Sequence, residues 1–340
     1  MIPERSLEVL RAIVNDYIES NEPVGSKTLV ERHAFGVSAA TIRNDMALLE
    51  EEQLIHAPHT SAGRVPTDKG YRLFVDKLEQ VKPLSSAEKN VFESFLSDTA
   101  DLDETLTSAV RSLSQLTNQV AMVQYPTLGK SKVATLELIA VSETRLLLIL
   151  VTDSSRVQQH VIELGQLVDH NFIADLKSRL SATLVGQPLT SVADRLSGFI
   201  QGFQLDKSVQ VQLVVDTLLD QVDASRQEKI ILAGTANLAR RESDFSGSIL
   251  PVLEAIEEQV VLLKLLAEMQ DDTNGVAVRI GAENQIASLS GTTILASGYE
   301  NQGSEIAKVG VLGPTRMNYS QNISAVRAVA RYLTRALSNQ

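Results

Sequence analysis

Arg43 and Asn44 lie where an α-helix would carry them clear of its own core. At about 100° per residue from Ile42, Ala40, Asn44 and Ala47 fall opposite the apolar side, with Thr41 and Arg43 on the flanks. Such a face suits the reading of a DNA major groove. Ala lets the backbone approach, Arg forks onto guanine O6 and N7, and Asn pairs with adenine N6 and N7. An ordinary solvated helix has the same small, polar surface, so this helix alone leaves both readings open.

The residues that follow favour DNA. Thr60, Ser61, Gly63 and Arg64 occupy a predicted hairpin tip, where hydroxyls, open backbone N–H groups and a guanidinium supply phosphate or minor-groove contacts. Lys69 and Arg72 stand just behind it, and Ser26, Lys27 and Ser38 open the two preceding helices, completing the candidate DNA contacts. Residues 53–78 carry four Lys and Arg against two Asp, although residues 1–80 hold nine Lys and Arg against thirteen Asp and Glu. The positive charge is therefore local.

Other chemistry is poorly represented. His56-x-x-His59 is the one close histidine pair, with no carboxylate between or beside it and no cysteine in the chain, so it reads as wing surface rather than a metal site. His160 and His170 read as structural. There is no G-x-S-x-G elbow, Walker loop or H-E-x-x-H, and the turns Gly234-Thr235-Ala236-Asn237 and Gly310-Val311-Leu312-Gly313 lack the form of phosphate cradles. Gly313-Pro314-Thr315-Arg316-Met317 reads as an architectural turn that Arg316 ties by hydrogen bonds. No enzyme, metal or cofactor is expected.

Three predicted helices position the candidate residues: Pro3–Ser20, Ser26 to about His33, and one capped by Ser38. Leu54–Ala57 and Gly63–Val65 make a two-stranded wing, and a helix from Thr67 to about Val81 closes the unit before the linker Lys82–Ser86. Ala87–Val123 has helical spacing. Val133–Val141, Thr144–Thr152 and Val157–Leu164 read as an antiparallel meander, followed by helical segments Asn171–Leu184, Ser191–Phe203 and Val209–Leu219. Strands are predicted at Lys229–Leu232, Gly275–Ile280, Thr293–Ser297 and Lys308–Leu312, and helices at Ser248–Met269 and Ser320–Leu337. The fold class is α+β and multidomain. The divisions are 1–82, DNA-binding; 83–167 and 226–340, two parts of one α+β domain; and 168–225, a mainly helical insertion.

Composition bounds the rest. The 340 residues have 44% hydrophobic content, no cysteine, no tryptophan and a net charge of −11, which argues against nonspecific coating of nucleic acid and against single-strand stacking platforms. The longest apolar runs, Leu146–Val151 and Val260–Leu266, are far short of the ~20 residues of a membrane span, and Met1–Glu8 lacks a signal peptide's apolar core. The expected location is cytoplasmic, with no membrane partner.

Several segments, in order, resemble one family. Pro23-Val24-Gly25-Ser26, Ala40-Thr41-Ile42-Arg43-Asn44-Asp45-Met46, Ser61-Ala62-Gly63-Arg64-Val65-Pro66-Thr67 and Lys69-Gly70-Tyr71-Arg72 are similar to the N-terminal signature of the bacterial heat-inducible transcription repressors called HrcA. Gly234-Thr235-Ala236-Asn237-Leu238, Ile280-Gly281-Ala282-Glu283-Asn284 and the run from Val309 to Tyr319 resemble its C-terminal stretches. The resemblance implies an N-terminal winged helix-turn-helix and a GAF-like α+β domain interrupted by a dimerisation domain. It further implies a homodimer that represses chaperone operons at an inverted-repeat operator, CIRCE, in double-stranded DNA, with activity dependent on the GroEL–GroES chaperonin. The alternative is a winged-helix regulator with a small effector in the α+β domain, which a pocket of convergent polar groups would distinguish. An enzyme with a DNA-targeting module would need paired, perturbed titratable groups there, and the sequence offers none.

Overall fold

A computed structural model describes residues 2–59, 62–78, 102–126, 131–153, 157–167, 169–226, 229–245, 247–270, 275–301 and 303–338. The chain opens with α1 (Glu4–Ser20), α2 (Ser26–Arg32) and α3 (Ala39–Glu51). Asn21, in a left-handed conformation, ends α1, and the Ser38 hydroxyl accepts from the Thr41 N–H to start α3. The short strands β1 (Ile55–His56) and β2 (Val65–Pro66) pair antiparallel, and α4 (Asp68–Asp76) begins at a Thr67 cap. The three helices bury Val9, Leu10, Ile13, Leu29, Ile42 and Leu49 against one another. The linker expected at 82–86 lies outside the described residues.

Five antiparallel strands form the second layer system, in the order β7 (Ile230–Ala233), β3 (Val120–Gln124), β10 (Ser304–Pro314), β9 (Thr292–Asn301), β8 (Ala277–Ile280). Strand alternation divides the buried residues between its faces. Ala121, Val123, Val309 and Val311 meet α5 (Leu102–Thr117) and α12 (Tyr319–Ser338), whereas Val120, Met122, Ile294 and Leu312 meet α10 (Leu250–Glu257) and α11 (Gln259–Glu268). The helical spacing read through Val123 gives way at Asn118, whose φ of 52° stops α5 and releases β3. Likewise the helix expected over Ser248–Met269 is two helices, broken at Glu258.

Between β3 and β7 stands a module with its own core. The meander β4 (Val133–Ala140), β5 (Arg145–Thr152), β6 (Val157–Glu163) lays Leu136, Leu138, Leu146, Leu148, Leu150 and Ile162 on α6 (His170–Leu184), α7 (Val192–Leu196) and α8 (Ser208–Arg226). The helix read at Ser191–Phe203 is instead α7 flanked by two short 3-10 turns. The sequence boundary at 168 cuts through this single core, because alternation in the meander does not reveal which partner its buried face meets. Both ends of the module leave from adjacent positions: Gln124 pairs with Ile230, and the Tyr125 N–H donates to the Lys229 carbonyl at 2.7 Å.

Candidate nucleic-acid interface

The recognition-helix candidate α3 is held from behind. Asp45, on its buried side, accepts Arg5 Nε at 2.8 Å and Ser6 Oγ at 2.9 Å, fastening α1 to α3. Burial alone would raise the Asp45 carboxyl, but the bonds from Ser6 and the Arg5 guanidinium hold it below the ordinary value. A second tie, His33 Nε2 to Asp16 Oδ1 at 3.0 Å, joins the end of α2 to α1. With Ile42, Met46 and Leu49 in the core, Ala40, Arg43, Asn44 and Ala47 are left exposed. Arg43 and Asn44 have no side-chain hydrogen bond or ion pair among the described residues, which leaves both free for an outside partner. Lys27 is exposed on the neighbouring helix, and Ser38 Oγ and Thr41 Oγ1 lie 3.0 Å apart at the start of α3.

Other predicted contacts have work inside the protein. Ser26 is buried in the first turn of α2. Gly63 belongs to the packing: Val24 and Arg64 exchange backbone hydrogen bonds at 2.9 Å, and a Cβ on Gly63 would come within 2.6 Å of the Pro23 and Val24 backbone. Arg64 does not reach outward. Its guanidinium grips Glu50 Oε2, with Nε at 2.9 Å and Nη2 at 2.8 Å, bracing the wing against the last turn of α3. Lys69 Nζ donates to the Glu52 carbonyl at 2.8 Å, beside the same helix end, while remaining exposed. Thr60 and Ser61 lie outside the described residues.

Arg72 is the clearest departure from expectation. Its Nε donates to Glu283 Oε1 at 2.8 Å, Nη2 reaches both Glu283 Oε2 and, at 2.7 Å, the Val278 carbonyl, and Nη1 is 3.4 Å from Asp76. Burial would raise Glu283, yet bonds from Arg72 and the Ile280 N–H hold it below the ordinary value. One turn earlier, Asp68 accepts the Ala282 N–H at 3.1 Å over Gly281, whose φ of 55° and lack of a side chain admit the carboxylate. Tyr71 and Phe74 meet Tyr319 with ring centroids 5.6 and 6.3 Å apart. Thus α4 anchors the helical unit to the five-stranded sheet domain. These partners are distant in sequence, and nothing local to Arg72 signals them.

Residues 103–323 match the family model for the HrcA protein C terminal domain. The chain is 56% identical over 340 residues to the heat-inducible transcription repressor HrcA of Clavibacter michiganensis subsp. michiganensis, covering 100% of both. The chain belongs to the HrcA family. The HrcA of Leifsonia xyli subsp. xyli is 54% identical over 339 residues, again covering 100% of both chains. A crystal structure described as that of a hypothetical protein superposes with a TM-score of 0.70 at 25% identity, over 100% of this chain and 99% of that one. As a member of the HrcA family the chain is a repressor of heat-inducible transcription, so its ligand is DNA. No helix among the described residues is long and apolar enough to cross a membrane.

Proposed function

We propose that the chain represses chaperone operons as a homodimer, each copy placing α3 in a major groove of the inverted-repeat CIRCE operator. One observation carries this reading: Arg43 and Asn44 stand exposed and unpartnered on a helix whose opposite side is fastened by Arg5, Ser6 and Asp45. A rigid helix bearing free base-reading groups suits sequence readout. Helices α1–α4 with strands β1 and β2 are the winged helix-turn-helix, the five-stranded domain is the GAF-like unit, and the module between β3 and β7 is the dimerisation domain.

An inverted repeat calls for two-fold related recognition helices, and hence for a dimer contact. Exposed apolar side chains support placing that contact in the inserted module: Val157 and Val161 on the outer face of the meander, Leu205 just before α8 and Val209 in its first turn. Chaperonin dependence fits the topology. Strand β3 cannot pair with β7 until the whole module between residues 124 and 230 has been accommodated, and such long-range pairing is slow and aggregation-prone. GroEL–GroES would then set the pool of active repressor, and heat, by diverting the chaperonin to other clients, would shrink it. Footprinting of the purified chain on its own chaperone promoter, with and without chaperonin and ATP, tests this. Symmetric protection of an inverted repeat, strengthened by chaperonin, is expected; protection indifferent to chaperonin contradicts the maturation step.

A further inference from the structure

A cavity of about 300 Å³ opens where the DNA-binding unit meets the sheet domain, lined by Ile18, Arg240, Arg241, Ser243, Asp244 and Arg316 among others. Three arginines and one aspartate are among its lining residues, a surplus of two positive charges in a chain of net charge −11. Arg316 is largely committed: Nη1 donates to the Ile18 carbonyl at the end of α1 at 2.6 Å, and Nη2 to Asp244 Oδ1 at 2.5 Å. Its Nε is buried and has no acceptor among the described residues. Arg240 ends the short helix α9 (Ala236–Arg240) and is exposed; Arg241 follows it, half-buried. Neither guanidinium has an ion pair among the described residues.

We propose that this junction is a binding site for a small phosphoryl anion, and that the anion lowers operator affinity. Guanidinium forks match phosphate oxygens in geometry. The charge surplus favours a multiply charged phosphoryl anion, where a single carboxylate would leave a positive charge unmatched. The volume is at the small end of ligand pockets and suits a pyrophosphate-sized group. Arg316 supplies the link to function, because it holds α1 of the DNA-binding unit to Asp244 of the sheet domain. An anion that draws Arg316 away from the Ile18 carbonyl loosens that hold, and the loss must be reciprocal: bound anion weakens operator binding by the factor by which bound operator weakens the anion. The regulatory half rests on the operator-binding role proposed above, whereas the anion site is independent of it.

The test uses inorganic pyrophosphate and the full chain at constant ionic strength. Calorimetric titration without DNA is expected to show one site per chain, weakened at least tenfold in the Arg240→Ala/Arg241→Ala double variant and unchanged in Arg195→Ala, an exposed arginine of the inserted module. Neither replaced pocket residue is part of a buried core, so the double variant should fold, and its unfolding midpoint checks this. Saturating pyrophosphate should then lower operator affinity several-fold in the parent chain and leave the double variant unaffected. Absence of binding at millimolar pyrophosphate, or equal binding by parent and double variant, overturns the site. Binding with no change in operator affinity, in a chain that binds operator, overturns the regulatory link.

Discussion

Arg43 and Asn44 share the solvent face of α3, and their freedom from internal partners separates them from Arg64 and Arg72, which the same residue types made equally eligible. Replacing either Arg43 or Asn44 by Ala should cost ~1–3 kcal/mol on the specific operator and much less on unrelated duplexes. Titration of both DNAs distinguishes base readout from backbone contact, since equal losses would mean phosphates only. Arg64 should behave differently, because its guanidinium is spent on Glu50. Arg64→Ala is expected to weaken operator binding through wing placement while changing the slope of log K against log salt by well under one unit. A slope flattened by roughly one unit would instead identify a phosphate contact.

Elements are legible in the sequence where their signals are local. The Ser38 cap, the Ile42–Met46–Leu49 stripe and the polar turn between Ile55 and Val65 sit within a few residues of what they specify, so α3 and the wing emerge directly. Strand β3 does not: its five residues are all buried, and a short run without alternation has no period of its own beside a long helix. Arg72 and Glu283 are 211 residues apart, so a surface reading of Arg72 is natural until the fold brings Glu283 beside it. The Arg5–Asp45 tie between α1 and α3 makes stability depend on pH. Because the folded-state carboxyl lies below its unfolded value, its contribution is fully present above the unfolded pKa of about 3.9 and is lost as pH falls through the folded value. Asp45→Asn should lower stability by about 1–3 kcal/mol at neutral pH, and the gap from the parent should narrow as pH drops below 4. Urea unfolding at several pH values measures it; a gap independent of pH would remove the ionic part of the tie.

The whole molecule is a sheet domain carrying the three-helix unit and its wing on α4 and the module on the β3–β7 edge. Because Gln124 and Ile230 are already paired, residues 127–228 can be replaced by a short turn without parting the strands. That variant should sediment as a monomer with the sheet domain folded; a dimeric variant would place the contact elsewhere. Two-fold reading of the operator is tested most directly by the ratio of affinities of the full chain for an inverted repeat and for the same DNA with one half-site scrambled, measured by titration at fixed salt. Two recognition helices acting together predict a preference for the intact repeat of roughly 10³-fold or more. Equal affinity for the two DNAs would contradict a dimer that reads an inverted repeat through α3.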